Sequence, residues 1–410
     1  MKTIRFVHTA DLHLDSPFLG LHHLPENLFK RLQESTFTAF ERVVDAAIEH
    51  KVDFVLIAGD LFDGEDRSIK AQARLRRQLE RLGSEGIFTF IIHGNHDHLS
   101  GDWIHLDMPD LVHIFHKKPE PVQITSKNGT TVHVYGFSYP KRHVYTKIIE
   151  EYVKRPGTDF HIAMLHGSEE GSAGGHEPYA PFTVRELLEK GMDYWALGHI
   201  HKRRTLHADP YVVYPGNTQG RHRKENGEKG CYVVNMVKNG PTELEFIETA
   251  DVRWESIQIE LDKKTDLTEL YAICTSKMEA IAKKGQGVLC ELKIIHSGRL
   301  SPRVLNVIEN GEFTEMLQDE VFIDHEFVWP YRIYQEDRSA KRLSADDAFE
   351  KVLYEAAREL ESAHVFEEAV SELYSHTYSS RYLDALDDQE RRQILLSAKE
   401  LLMKQLAERD

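Results

Sequence analysis

The stretch Phe54-Val-Leu-Ile-Ala-Gly-Asp60-Leu-Phe-Asp63-Gly64 is a short apolar run that ends in glycine and a carboxylate. Rich in β-branched and aromatic residues, it predicts a buried strand in a sheet covered on both faces, with Asp60 at the strand's carboxyl end. A lone carboxylate buried there is costly, because its charge needs a partner or must be neutralised by protonation. Four other predicted strand ends offer partners: Asp11-Leu-His13, Gly94-Asn95-His96-Asp97, Leu165-His166-Gly167 and Gly198-His199-Ile200-His201. Together they describe a cage for two metal ions with Asp60 as the bridge.

At 410 residues the chain is long enough for two or three domains. Its composition, 41% hydrophobic and 29% charged without a low-complexity tract, is that of a soluble globular protein. The longest apolar runs fall far short of a membrane span, so no membrane partner is expected. Strand-like residues begin almost at Met1, which leaves no room for a cleavable leader and points to the cytoplasm. Three widely spaced cysteines, Cys231, Cys274 and Cys290, fit reduced thiols there better than a disulfide framework.

The net charge of −16 argues against unaided binding to nucleic acid through phosphate contacts. Metal-binding carboxylates inflate that number, since bound cations would offset them. Three basic clusters are local: Lys141-Arg142-His143, Lys202-Arg203-Arg204 and Arg221-His222-Arg223-Lys224. Each is either solvated loop charge or part of a rim that steers phosphate. Lys202, Arg203 and Arg221 are the candidate substrate-binding residues.

Along the chain, residues 3–9 predict a strand and Glu26 to Glu49 an amphipathic helix. After the Asp60 strand come a helix bearing Leu75, Leu79 and Leu82 that ends at Gly83, then a strand from Ile87 to Ile92. This alternation is the pattern of a layered α/β domain. Thr131 to Phe137, Phe160 to Leu165 and Tyr194 to Gly198 read as further strands, with a capping box at Thr183-Val-Arg-Glu186 opening the helix before the last. The loop Gly167 to Gly175 lacks phosphate-loop spacing and reads as a mobile rim. Strands Tyr211 to Tyr214, Cys231 to Met236 and Glu243 to Ile247 complete a first domain over residues 1–250. An α+β module is expected over 251–335, with strands at Ser256 to Leu261, Val288 to Ile295 and Val321 to Val328. A polar linker and amphipathic helices from Ser344 and from Asp387 fill 336–410. Such a helical tail covers either its own chain or a partner.

Carboxylate, imidazole and amide donors suit Mn, Fe or Zn more than Mg or Ca, which prefer oxygen alone. One ion would take Asp11, His13, Asp60 and His201, the other Asp60, Asn95, His166 and His199. Two such ions can hold the attacking and leaving oxygens of an in-line phosphoryl displacement. His96 is left free of metal as the candidate catalytic acid, with Asp97 as the partner that orients its ring. His8, His22, His23, His93 and His98 lie beside the motifs and read as neighbours, not ligands. Any one fragment, Asp-x-His above all, arises by chance. Five in order, each at a predicted strand end, point to one site.

In this order the motifs resemble the calcineurin-like metallophosphoesterase superfamily. The Gly59-Asp60-Leu-Phe form of the second motif and the appended module look like its DNA-repair exonuclease branch, the SbcD and meiotic-recombination-eleven nucleases, and most of all the bacterial YhaO-type members. That resemblance implies a four-layer αββα sandwich with a smaller α+β capping domain and a C-terminal helical segment. It further implies two Mn ions, exonuclease or endonuclease activity on DNA in repair or recombination, and a homodimer at the nucleoid. It also implies docking on the coiled coil of an SMC-like ATPase of the SbcC or YhaN type. Two departures bear on substrate choice: the first motif continues as His13-Leu-Asp-Ser-Pro-Phe where the SbcD nucleases carry His-Leu-Gly, and the second ends in Phe62-Asp63-Gly64. Two other functions stay open, a phosphoesterase acting on nucleotides or other small esters, and a scaffold subunit of an ATPase whose site is weak or regulatory.

Overall fold

Alternation along the strand that carries Asp60 sets the layers. The computed structural model describes residues 1–18, 20–21, 24–63, 68–101, 107–171, 179–336, 356–360, 362–375, 386, 390–392 and 394–398. In chain order, β1 (Thr3–Thr9) leads to α1 (Glu26–Glu49), β2 (Phe54–Ala58), α2 (Ile69–Ser84), β3 (Phe88–Ile92) and β4 (Val112–Ile114). Every residue of β2 is buried. Phe54, Leu56 and Ala58 face one cluster and Val55 and Ile57 another, as a period of two requires when both faces are covered. The outer cluster is closed by Phe37, Phe40, Val43 and Val44 of α1 and by Leu75, Leu79 and Leu82 of α2.

A second set of strands faces the first. It comprises β5 (Glu120–Thr125), β6 (Thr131–Gly136), β7 (Phe160–His166), β8 (Tyr194–Gly198), β9 (Arg204–Ala208) and β10 (Tyr211–Tyr214), with α3 (Val184–Glu189) inserted before β8. In α3 the expected capping box is formed: the Glu186 amide donates to the Thr183 hydroxyl at 3.2 Å, and the Thr183 amide to the Glu186 carboxylate at 2.7 Å. The chain then returns to the first sheet as β11 (Gly230–Val237) and β12 (Thr242–Glu248). The two six-stranded sheets have the orders β12-β11-β1-β2-β3-β4 and β5-β6-β7-β8-β10-β9. Phe6, Phe54, Leu56 and Phe90 from one meet Val134, Ile162, Met164 and Tyr194 from the other. The far face of the second sheet is covered by Leu187 of α3 and by Ile149 and Tyr152. This is an α/β sandwich of four layers, αββα.

A smaller sheet follows: β13 (Val252–Glu260), α4 (Leu267–Ile281), β14 (Gly287–Ile295), α5 (Pro302–Glu309), α6 (Glu312–Gln318) and β15 (Phe327–Glu336). Its three strands are parallel in the order β13-β14-β15, so the helices are crossover connections. The helices cover one face. The other face presents Val252, Trp254, Leu289, Phe327 and Trp329 to Leu24, Leu28 and Leu32 at the start of α1. Arg31 and Arg42 of α1 bond the Asp251 carboxylate at 2.9 and 3.1 Å, fastening the same junction. Beyond it, α7 (Ala363–Ser375) is described.

The structure differs from the sequence expectations in places. The strand expected at Val321 to Val328 lies at Phe327–Glu336, so Gln335 and Glu336 belong to a strand and not to a linker. Val321 and Ile323 are apolar because they pack on the Phe18 and Leu24 cluster, which mimics strand alternation. The edge strands β4, β5 and β9 and the short α6 carry too weak a pattern to be read. Ser344 and most of its expected helix, Asp387 to Gln389, and residues 172–175 of the glycine-rich loop lie outside the described residues. Among the described residues no helix is long and apolar enough to cross a membrane.

Trp254 is 2% exposed and touches both units through its cluster. Replacing it with Ala is expected to lower unfolding free energy by about 3–5 kcal/mol, read from the midpoint shift in urea.

Candidate metal centre

The cage is assembled where β1, β2, β3, β7 and β8 end. Past the end of the β1–β2 pair, backbone bonds continue from Asp11 to Gly59 (3.0 Å), from His13 to Asp60 (3.0 Å) and from Leu14 to Leu61 (2.8 Å). Three site residues there, Asp11, His13 and Asp60, hold φ of 52°, 43° and 50°, and His199 holds 99°. Such conformations are costly for residues with a Cβ and persist only where the surroundings impose them. Glycines of the motifs serve close approach. A Cβ at Gly59 would strike the His166 ring, one at Gly94 both His166 and Asp60, and one at Gly198 the Ala58 carbonyl before the His166 ring.

Asp60 stands at the centre, fully buried. Its Oδ2 lies 4.0 Å from His13 Nε2 and 3.4 Å from His166 Nε2, and its Oδ1 accepts the His96 backbone N–H at 3.0 Å. On one side His13 Nε2 meets His201 Nε2 at 3.0 Å, and one donor atom each from Asp11, His13 and His201 fall within 4.8 Å of one another. On the other, Asn95 Oδ1 lies 3.1 Å from His166 Nε2 and 3.2 Å from His199 Nδ1. Asp11 links the halves: its oxygens accept the His199 amide at 3.1 Å, and it lies 4.0 Å from His166 Nδ1. All seven residues expected to hold metal therefore converge.

The donor set fits cations. His201 Nδ1 contacts Glu225 Oε1 at 2.6 Å and His13 Nδ1 faces Asp63 Oδ1 at 3.5 Å. In the tautomers those carboxylates favour, both Nε2 atoms turn lone pairs toward each other across 3.0 Å. A cation between them relieves that repulsion. Burial holds His13 and His199 down to about 3, so both rings are neutral and able to ligate. His166 differs. Burial works against its charge, yet the Asp60 carboxylate overrides this and lifts it to about 9. Asp60 in turn is opposed by burial but is held well below the usual carboxylate range by His166. The Asp60 contact thus favours a proton on a ring whose Nδ1 is tied to the Ala58 carbonyl at 2.9 Å, and a bound cation would displace that proton.

Other expectations are met differently. The carboxylate opposite the His96 ring is that of Asp63, at 3.5 Å. Asp97, expected to orient that ring, instead accepts the amides of Gly94 (2.6 Å) and Leu61 (3.0 Å) and faces His93 at 3.0 Å. It fastens the third motif loop to the second. Arg221 reaches the site, but pairs with Asp63 at 2.7 Å and is only 15% exposed along its side chain. Arg203 lies over the Phe246 ring and pairs with Glu228, while Lys202 is exposed. His8 is bonded to Tyr194 and Leu197, a core histidine. His22 and His23 lie outside the described residues.

Two functional residues escaped sequence reading. Asp63 is held below the usual range: burial opposes this, but contacts with His13 and Arg221 prevail. Its place three residues after Asp60 was the available signal. Glu225 is likewise depressed against burial by its bond to His201, and its other oxygen accepts from Asn217 and from the Arg221 amide, each at 2.8 Å. Nothing in its local sequence marks it. The turn that carries it is held from the far side by Trp254, whose indole N–H donates to the Gly220 carbonyl at 3.1 Å. The smaller sheet is thus bonded to the segment that orients His201.

Comparison with known proteins agrees with this geometry. The chain belongs to the calcineurin-like phosphoesterase family, whose model matches residues 4–203. It is 40% identical, over 99% of its length and 98% of the relative's, to YhaO of Bacillus subtilis, described as an uncharacterized metallophosphoesterase. It is also 25% identical to the DNA double-strand break repair protein Mre11 of Thermoplasma acidophilum, covering 64% of this chain and 70% of that one. With Mre11 of Methanocaldococcus jannaschii the identity is 24% over 84% of this chain and 89% of the relative. The protein is therefore a metallophosphoesterase, a hydrolase with clustered Asp and His metal-binding residues.

Two outcomes are expected. Glu225→Gln keeps a hydrogen-bond acceptor but removes the charge that orients His201, and should weaken divalent-ion binding by roughly 10- to 100-fold, measured by calorimetric titration. Metal uptake by the wild-type protein at pH 7.5 should release the His166 proton to buffer. That release should decline as pH rises through about 9, where the ring is already neutral. Calorimetry in buffers of different ionisation enthalpy reads it directly.

Proposed function

We propose that the protein is a two-metal phosphodiesterase that cleaves DNA, as an exonuclease or endonuclease in repair or recombination. The observation that carries this is one buried carboxylate, Asp60, whose Oδ2 faces His13 at 4.0 Å and His166 at 3.4 Å, one histidine from each half of the cage. Asp11, His13, Asp60 and His201 would hold one ion, and Asp60, Asn95, His166 and His199 the other. Such ions, with Mn the proposed native metal, neutralise phosphoryl charge and lower the pKa of water to the neutral range.

The chain's own residues do the rest. His96 lies at the open side of the cage, its side chain 32% exposed. Its backbone is fixed by the bond to Asp60 and its ring faces Asp63, so it can hold a proton for the leaving oxygen or bond a phosphoryl oxygen. Arg221 keeps Asp63 charged and in place. Lys202 remains at the rim for phosphate.

Choice of DNA is supported by the similarity to Mre11 proteins and by the smaller sheet. A small ester has no need of a second unit bonded to the segment behind His201. The net charge of −16 is met by the proposal that an SMC-like coiled-coil ATPase binds the C-terminal helices and supplies basic surface. A homodimer at the nucleoid completes the proposal.

With Mn and purified full-length chain, linear duplex DNA and single strands should be cleaved, as should bis-p-nitrophenyl phosphate. Asp60→Ala should abolish all three. His96→Ala should lower kcat by roughly 10²- to 10⁴-fold while ion binding is kept. Cleavage of the small diester alone, even with the ATPase added, would remove DNA as substrate and leave a phosphoesterase of small molecules.

A further inference from the structure

Four aromatic rings run from the metal cage to the surface. Tyr179 lies 5.0 Å from the His199 ring, tilted by 46°. His143 stacks on Tyr179 at 5.6 Å and 27°, and Tyr145 on His143 at 5.7 Å and 20°. Exposure rises along the row: His199 and Tyr179 are half-buried, His143 is exposed and Tyr145 is 51% exposed. A large aromatic that keeps half its surface in water gains little from burial.

The row is held rigidly. The Val144 side chain between its two outer members is buried, and its carbonyl accepts the Ala180 amide at 2.7 Å. Tyr179 is bonded to Ser168 through its backbone N–H (3.1 Å) and to His143 through its hydroxyl (3.2 Å). Beside it Lys141 is exposed, while Lys147 is neutralised by Glu170 and Glu186 at 3.0 and 2.8 Å. Preorganised rings with adjoining cationic side chains are what proteins offer to unpaired bases, which stack irrespective of sequence. Paired bases keep their faces against one another and cannot use such a row.

We infer that Tyr145, His143 and Tyr179 form a stacking rail whose outermost ring, Tyr145, takes an unpaired nucleobase of a single strand or frayed end and whose line leads the backbone to the cage at His199. The inference rests on the DNA reading of that cage and specifies the strand form the site accepts. The alternative is a brace that only fastens two loops. Tyr145 separates the two, because the Tyr179–His143 bond survives its removal.

The test is fluorescence anisotropy of the full-length, ion-loaded chain on ice with phosphorothioate-linked oligothymidylate and with an abasic oligomer of equal length and charge. Wild type should bind the base-bearing oligomer at least about tenfold more tightly, since one stacked base is worth roughly 1–3 kcal/mol. Tyr145→Ala should lose most of that preference and Tyr145→Phe should keep it, with unchanged salt dependence and melting temperature. Equal affinity of wild type for the two oligomers, or a preference untouched by Tyr145→Ala, overturns the rail even if DNA is cleaved. A base preference lost in Tyr145→Ala without any DNA cleavage would sustain the rail and sink the nuclease reading.

Discussion

A charged carboxylate buried at a strand end must be compensated, and much of this fold is arranged to do so for Asp60. Within the chain the compensating group is the His166 imidazole, enclosed so closely by Gly59 and Gly94 that neither admits a Cβ. The two sheets meet with their carboxyl strand ends on the same side. Asp60 comes from one sheet and His166 from the other, so the ion pair exists only when the sandwich is closed. Folding and formation of the cage are in that sense one event, and a divalent cation would replace a proton that the fold already places there.

Around that centre, carboxylates orient rings at one remove. Glu225 acts on His201, Asp63 on His13 and His96, and both acids are themselves held by Arg221, through its backbone N–H and its guanidinium respectively. The segment that carries Arg221 and Glu225 is bonded to Trp254 of the smaller sheet, while Arg223 and Lys224 within it pair with Glu390 of the C-terminal segment. Three parts of the chain distant in sequence therefore converge on one short turn behind His201.

The charge distribution follows the same economy. Basic residues near the site are mostly engaged: Arg221 with Asp63, Arg203 with Glu228, Arg204 with Glu169. Lys202 and Lys141 are exposed. A surface so arranged places phosphate through a few local contacts and relies on other means, stacking or a partner, for the remainder of its affinity.

The central strands of the sandwich and the convergence of seven side chains at their ends were legible in the sequence, because a buried parallel strand needs an unbroken apolar run and each run here stops abruptly at a donor. Periodicity also marked α1, and hydrogen-bonding chemistry marked the cap of α3. Edge strands β4, β5 and β9 were not legible, since a half-solvated edge imposes no such run, and Val321 and Ile323 imitated a strand by packing on α1's cluster. Likewise, local sequence paired Asp97 with His96, whereas the structure sets Asp63 against that ring and Asp97 against the Gly94 and Leu61 amides. Glu225, the pairing of Arg221 and the aromatic row were decided by tertiary structure alone. Most of their partners lie tens to more than a hundred residues away, and only the tertiary fold brings those side chains within hydrogen-bond or ring-contact distance.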